Sequence, residues 1–163
     1  MNRFMNQVEM NQQAKLSEHF SLGELTRSKS HPEVYNIPSR QVIENLKRVC
    51  VWLEALRERY NQRYGDGDDP IIITSGYRSA ELNRKVGGVA TSNHLTGCAV
   101  DIRVAGKEQL IRYACILLDY ADETKQDFDE LLLEHGANGV IWLHFAVRPP
   151  GQQNRRKISF LKA

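Results

Sequence analysis

The sequence predicts an α+β domain in which a small antiparallel sheet packs against helices. Three observations point there. Apolar residues recur at helical spacing over 38–60 and again over 106–121. Two short apolar runs, Ile71-Ile72-Ile73-Thr74 and Cys98 to Val104, read as strands between those helices. Two more, Leu131 to Glu134 and Val140 to Val147, flank Gly136-Ala137-Asn138-Gly139 and read as a hairpin. Helices dominate the first part and a hairpin closes the last, without repeats and without regular strand–helix alternation. A chain of 163 residues is long enough for one sizeable core.

Each element has its own local signal. Residues 1–15 are polar and rich in Asn and Gln, and are expected to form a flexible arm. Ser21-Leu22-Gly23-Glu24 has the spacing of a capping box, which predicts a short helix with Phe20 as its staple. In the first long helix Val42, Leu46, Val49, Leu53, Leu56 and Tyr60 share a face, and Ser39 stands where a cap is needed. Gly65-Asp66-Gly67-Asp68-Asp69-Pro70 ends it. Ser79 to Lys85 forms a turn or two of helix, broken by Gly87-Gly88. In the second long helix Leu110, Ile111, Ala114, Cys115 and Leu118 are expected on the buried face. The domain is placed at 16–150. Residues 151–163, with Arg155-Arg156-Lys157, are expected to be a solvated basic tail.

Composition excludes several classes. Hydrophobic residues make up 41% and charged residues 26%, as in ordinary globular chains, and a net charge of +2 gives no basis for a nucleic-acid partner. The three cysteines, Cys50, Cys98 and Cys115, are scattered and contain no C-x-x-C pair, so neither a disulfide framework nor a thiolate zinc site is expected. Cys50 and Cys115 are expected to be buried packing residues. No apolar run reaches the ~18 residues a membrane helix needs, so no membrane insertion is expected. The first twenty residues lack the continuous apolar segment of a secretory signal, and synthesis in the cytoplasm is expected. Oligomeric state leaves no trace in the sequence.

The chemistry starts from Asp101, a carboxylate inside the apolar run Ala99 to Val104. A charge buried there needs a basic partner or a metal ion. His94 lies seven residues earlier, and Gly97 between them allows the chain to fold back. Of the five histidines, His19 and His31 lie in the N-terminal segment and His135 at the hairpin turn. His144 lies within the last strand, between Trp142 and Ala146 on its own face. Alone it reads as a core histidine; beside His94 and Asp101 it reads as a ligand. Two histidines and one carboxylate leave a fourth position open, which is the catalytic zinc arrangement.

Ser75-Gly76-Tyr77-Arg78-Ser79, then Ser92-x-His94-x-x-Gly97-x-Ala99-x-Asp101, then Trp142-x-His144 resemble the zinc D-alanyl-D-alanine carboxypeptidase family of the hedgehog-like metallopeptidase superfamily. That family includes D-Ala-D-Ala dipeptidases and phage endolysins that cut the L-Ala-D-Glu bond. The likeness spans about 16–148. It implies one zinc ion per chain on His94, Asp101 and His144, and stem peptides of peptidoglycan as substrate. It implies action on the cell wall after release from the cell, or from a virion. Arg78 matches an arginine that stabilises charge on the scissile carbonyl; an ion pair with Asp101 or Glu81 is its alternative role. Ser92 matches a serine lining the substrate site; bonding its local backbone is the alternative. Many members carry the catalytic carboxylate three residues before the last histidine, where this chain has Ile141. Glu134 is therefore the candidate general base, with Asp127, Asp129 and Glu130 as weaker alternatives. The departure at 141 also leaves open a binding or phage structural module that keeps the metal without catalysis.

Overall fold

A computed structural model describes residues 10–163. Three helices and five strands follow one another in the order α1 (Arg40–Arg63), β1 (Ile73–Ser75), α2 (Ala80–Lys85), β2 (Ala99–Arg103), α3 (Lys107–Thr124), β3 (Glu130–His135), β4 (Ile141–Ala146) and β5 (Lys157–Lys162). The strands form one sheet in the order β1-β2-β4-β3-β5. Neighbours are antiparallel except β3 and β5, which run parallel. The fold is the α+β class the sequence predicts, with a mixed sheet in place of an all-antiparallel one. Among the described residues no helix is long and apolar enough to cross a membrane.

Strand alternation divides the sheet into two chemically distinct faces. Val100 and Ile102 of β2, Leu131 and Leu133 of β3, and Leu143 and Phe145 of β4 join the residues of α1 and α3 in the core. Trp52 of α1 anchors that layer, 5.2 Å from Phe145 and 6.4 Å from Phe128 between ring centroids. Ala99, Asp101, Glu130, Leu132, Glu134, Trp142 and His144 alternate with these residues and therefore line the opposite face. Ser39 caps α1 by accepting from the Val42 amide.

Several expectations need correction. The capping box at Ser21 and Glu24 forms reciprocally, but it closes a run of turns, not a helix. Phe20 is buried there as expected. Residues 1–9 of the expected arm lie outside the described residues; residues 10–15 are tied to the domain, with Met10 and Ala14 against the core and Lys15 bridged to Ser21. On α3 the buried stripe is Leu110, Tyr113, Ala114, Leu117 and Ala121 with Ile116. Ile111 is 52% exposed and Cys115 is exposed. Those two sit one residue, about 100° of helix rotation, away from the stripe.

The largest correction concerns the C-terminus, where the expected basic tail is the strand β5. Its anchor is Asp129, whose carboxylate is fully buried and accepts from the Arg155 side chain at 3.0 and 2.7 Å, from the Arg155 amide, and from Asn93. Arg148 stands 3.2 Å from the same carboxylate. Arg156 pairs with Asp122 and Asp127. Two of the three charges that look like a solvated run, Arg155 and Arg156, are therefore engaged by carboxylates of the domain.

Burial alone would raise the pKa of Asp129, but the hydrogen bonds from Arg155 and Asn93 and the charge of Arg148 outweigh it and hold it below its ordinary value. A depressed carboxylate stabilises the fold fully above its unfolded pKa of about 3.9 and loses that contribution as pH falls through the folded value. Asp129→Asn is expected to destabilise the domain by about 2–3 kcal/mol at pH 7. The gap from wild type should narrow toward pH 3, and denaturant titrations at both pH values measure it.

Candidate metal centre and active site

The Ser75-Gly76-Tyr77-Arg78 stretch works as a junction in which each residue has a separate task. Ser75 Oγ accepts from Arg78 Nε at 2.9 Å. Gly76 passes so close to Leu25 that a Cβ would collide with the Leu25 carbonyl, and its own carbonyl lies 2.7 Å from His94 Nδ1. The Tyr77 amide bonds Leu25, and the Arg78 amide bonds the His94 carbonyl. The motif therefore fixes both the ring and the backbone of His94.

His94 sits on a single 3-10 turn, Asn93–Thr96, which Ser92 caps by accepting from the His94 amide. Gly97 ends the turn at φ +74, and a side chain there would strike Val42 of α1 at 2.8 Å. A glycine is required on both counts. The chain then enters β2, where Asp101 stands opposite Ser75 on one side and His144 on the other.

The three expected ligands converge. One donor atom from each of His94, Asp101 and His144 lies within 4.8 Å of the others, and all three residues are buried. Asp101 Oδ1 is 3.4 Å from His94 Nε2 and 3.1 Å from His144 Nδ1, and its Oδ2 accepts from Arg78 Nη2 at 3.1 Å. Donors each about 2 Å from a tetrahedral ion stand a little over 3 Å apart. The spacing and the N, N, O donor set therefore fit zinc. The outer contacts fit as well: with Nδ1–H of His94 donated to Gly76, Nε2 is left as its ligand atom. His144 Nε2 is 3.1 Å from Glu130 Oε1, which leaves Nδ1 facing Asp101. A ligating histidine whose second nitrogen donates to a carboxylate or carbonyl is the usual support of such a site.

Burial alone would lower the pKa of His144, but hydrogen bonds to Asp101 and Glu130 push it up to about 9. Burial alone would raise Asp101; the charge of His94 and hydrogen bonds from both histidines hold it far below the usual carboxylate range. The same balance, with His144 the principal partner, lowers Glu130. Glu134 moves the other way: burial raises it, His144 draws it back only in part, and the charge of Asp101 adds to the rise. Its Oε2 accepts from Trp142 Nε1 at 2.6 Å.

Among the remaining candidates, Arg78 pairs with Asp101 and not with Glu81, whose partner is Lys85. The Ser92 hydroxyl is engaged by the His94 amide, in the local-backbone role. Asp129 and Asp127 face the C-terminal arginines and take no part in the cluster. His19 binds Glu54 and His31 binds Ser30, both away from the site, and His135 is exposed. The role of Glu130 as the partner of His144 goes unrecognised in the sequence. Its signal is parity: on a strand, residues 130 and 134 face the same side as residue 132, the neighbour of His144.

A mixed-sheet α+β domain with a buried His–Asp–His cluster of this spacing defines a candidate mononuclear metalloenzyme. The family model for peptidase M15 matches residues 18–122, and the chain belongs to that family, whose members hydrolyse peptide bonds. No curated protein matches the chain. The matched segment contains Arg78, Ser92, His94 and Asp101; His144, Glu130 and Glu134 lie beyond it and enter through the geometry.

Removing the carboxylate behind His144 is expected to weaken metal binding. Glu130→Ala should lower zinc affinity about 10–100-fold, whereas Glu130→Gln, which keeps an acceptor oxygen, should retain most of it. Competition with a chromophoric chelator measures both, and equal loss in the two variants would count against the hydrogen bond as the cause.

Proposed function

We propose that the protein is a zinc-dependent peptidase that cuts the stem peptides of bacterial peptidoglycan, with His94, Asp101 and His144 as ligands and Glu134 as general base. The observation that carries this reading is the buried cluster of two imidazoles and a carboxylate with a half-buried glutamate of raised pKa on the same sheet face. Bound there, zinc supplies Lewis acidity, which makes water a usable nucleophile near neutral pH and draws electron density from a carbonyl. The chain's own groups do the rest. Glu134 takes a proton from the attacking water and returns it to the departing amine nitrogen. The Trp142 N–H keeps one carboxylate oxygen in place, so the other is the one that moves the proton. Arg78, anchored by Ser75 and Asp101, presents its guanidinium to the oxygen on which negative charge develops.

Peptidoglycan as the substrate, and a phage or prophage lysin as the setting, rest on the motif likeness to wall-cutting enzymes. A metal-binding module without hydrolysis is the rival that Ile141 leaves open. Glu134→Gln separates them, since the amide cannot take the proton yet occupies the same space. The variant is expected to retain about one zinc per chain by elemental analysis and to lose hydrolysis of purified peptidoglycan by a factor of about 10² or more. Arg78→Ala is expected to lower kcat about 10²–10³-fold. A zinc-loaded wild type that releases no new amino groups from peptidoglycan would establish the binding module.

A further inference from the structure

An open cavity of about 300 Å³ lies between residues 27–30, β1 and α2, and shares Arg78 with the metal centre. Its charge is one-sided. Arg27, Lys29, Arg78 and Arg103 line it, and among the described residues no carboxylate does. Arg78 is paired with Asp101. Among the described residues no hydrogen bond or ion pair engages the side chains of Arg27, Lys29 or Arg103. Elsewhere Arg57, Arg59, Arg112 and Arg156 each meet a carboxylate. Arg103 ties the cavity to the centre: it follows Asp101 by two residues on the same face of β2 and stands opposite Trp142, the partner of Glu134.

Gathered cations without a counter-ion repel one another, and an anion placed among them relieves that cost. Guanidinium groups match the planar fork of a carboxylate. The cavity is not purely polar, because Ile72, Leu82 and Val86 form part of its wall. Its volume is at the small end for ligand sites, the size for one residue and not for an extended chain. We propose that this cavity is a substrate subsite that holds a free carboxylate beside the scissile bond, with the adjoining aliphatic carbons against Ile72, Leu82 and Val86. This rests on the peptidase reading and narrows it to substrates that carry such a group. The carboxylate is either the chain terminus or an internal side-branch acid.

Two peptide pairs distinguish these sources. One pair differs only in a C-terminal carboxylate against a carboxamide, the other only in an internal carboxylate against its amide. Affinities are measured by calorimetry on zinc-loaded Glu134→Gln protein, and turnover on the wild type. The acid of one pair is expected to bind about tenfold more tightly than its amide, and that pair identifies the source. In Arg27→Gln/Lys29→Gln and in Arg103→Gln, all exposed positions, the advantage should vanish while the amide's affinity stays within about twofold. Equal binding of acid and amide in both pairs, equal weakening of both by the variants, or no measurable binding of any peptide overturns the subsite. Discriminating binding with no turnover by the wild type leaves the subsite standing and removes the peptidase reading.

Discussion

The negative charge of Asp101, held inside a strand and 9% exposed, is the constraint around which the surrounding structure is arranged. A carboxylate in that position has to be compensated where it stands, because the attraction between buried charges offsets their desolvation only with close, well-oriented partners. Three partners arrive from three separate pieces of chain: Arg78 from the loop after β1, His94 from the capped 3-10 turn, and His144 from the adjacent strand. Without a metal, a protonated His144 and Arg78 carry the compensation. A metal ion held by His94, Asp101 and His144 would supply that compensation in place of the proton. The contacts of Gly76 with His94, of Glu130 with His144 and of Arg78 with Asp101 fix the three candidate ligands in place, which is the preorganisation a metal centre requires.

The second organising feature is a single strand with two glutamates of opposite displacement. Glu130 and Glu134 lie four residues apart on β3 and face the same side. Glu130 touches His144, and that contact lowers its pKa despite burial. Among the described residues Glu134 has only the indole N–H of Trp142 as a hydrogen-bond partner, and burial raises it. Two identical side chains are therefore displaced in opposite directions by their environments, the one toward the anion and the other toward the protonated acid. Exchanging their surroundings, more than exchanging the residues, would exchange those displacements.

Most of the local structure was legible because it follows from short-range rules. The periodic apolar face of α1, the cap at Ser39 and the hairpin around β3 and β4 are each set by neighbours in sequence. The ligand triad was legible for a different reason: a carboxylate in an apolar strand and a histidine in another are costly unless they meet. What escaped notice depends on distant partners. Within Lys157–Lys162 only the brief alternation of Ile158 and Phe160 hints at a strand, because its pairing partner β3 and its anchoring acid Asp129 are distant in sequence. The stripe of α3 was misplaced by one residue because Ile111 and Cys115 are apolar yet exposed, and Tyr113 is buried. Helical spacing permits either stripe, and only the neighbouring layer decides between them.

The missed strand has a consequence for the site itself. Arg155, just before β5, bonds Asp129 and also stands 3.5 Å from Glu130. Asn93, the residue before the ligand His94, donates to both of those acids. A continuous polar path therefore runs from the C-terminal segment through Asp129 and Glu130 to His144, and through Asn93 to the turn that carries His94. Its members are charged or strongly polar and mutually hydrogen-bonded, so displacing one leaves others buried without partners. The segment around Arg155 is thus part of the support of the candidate metal centre. It lies beyond residues 18–122, the segment that the peptidase M15 model matches.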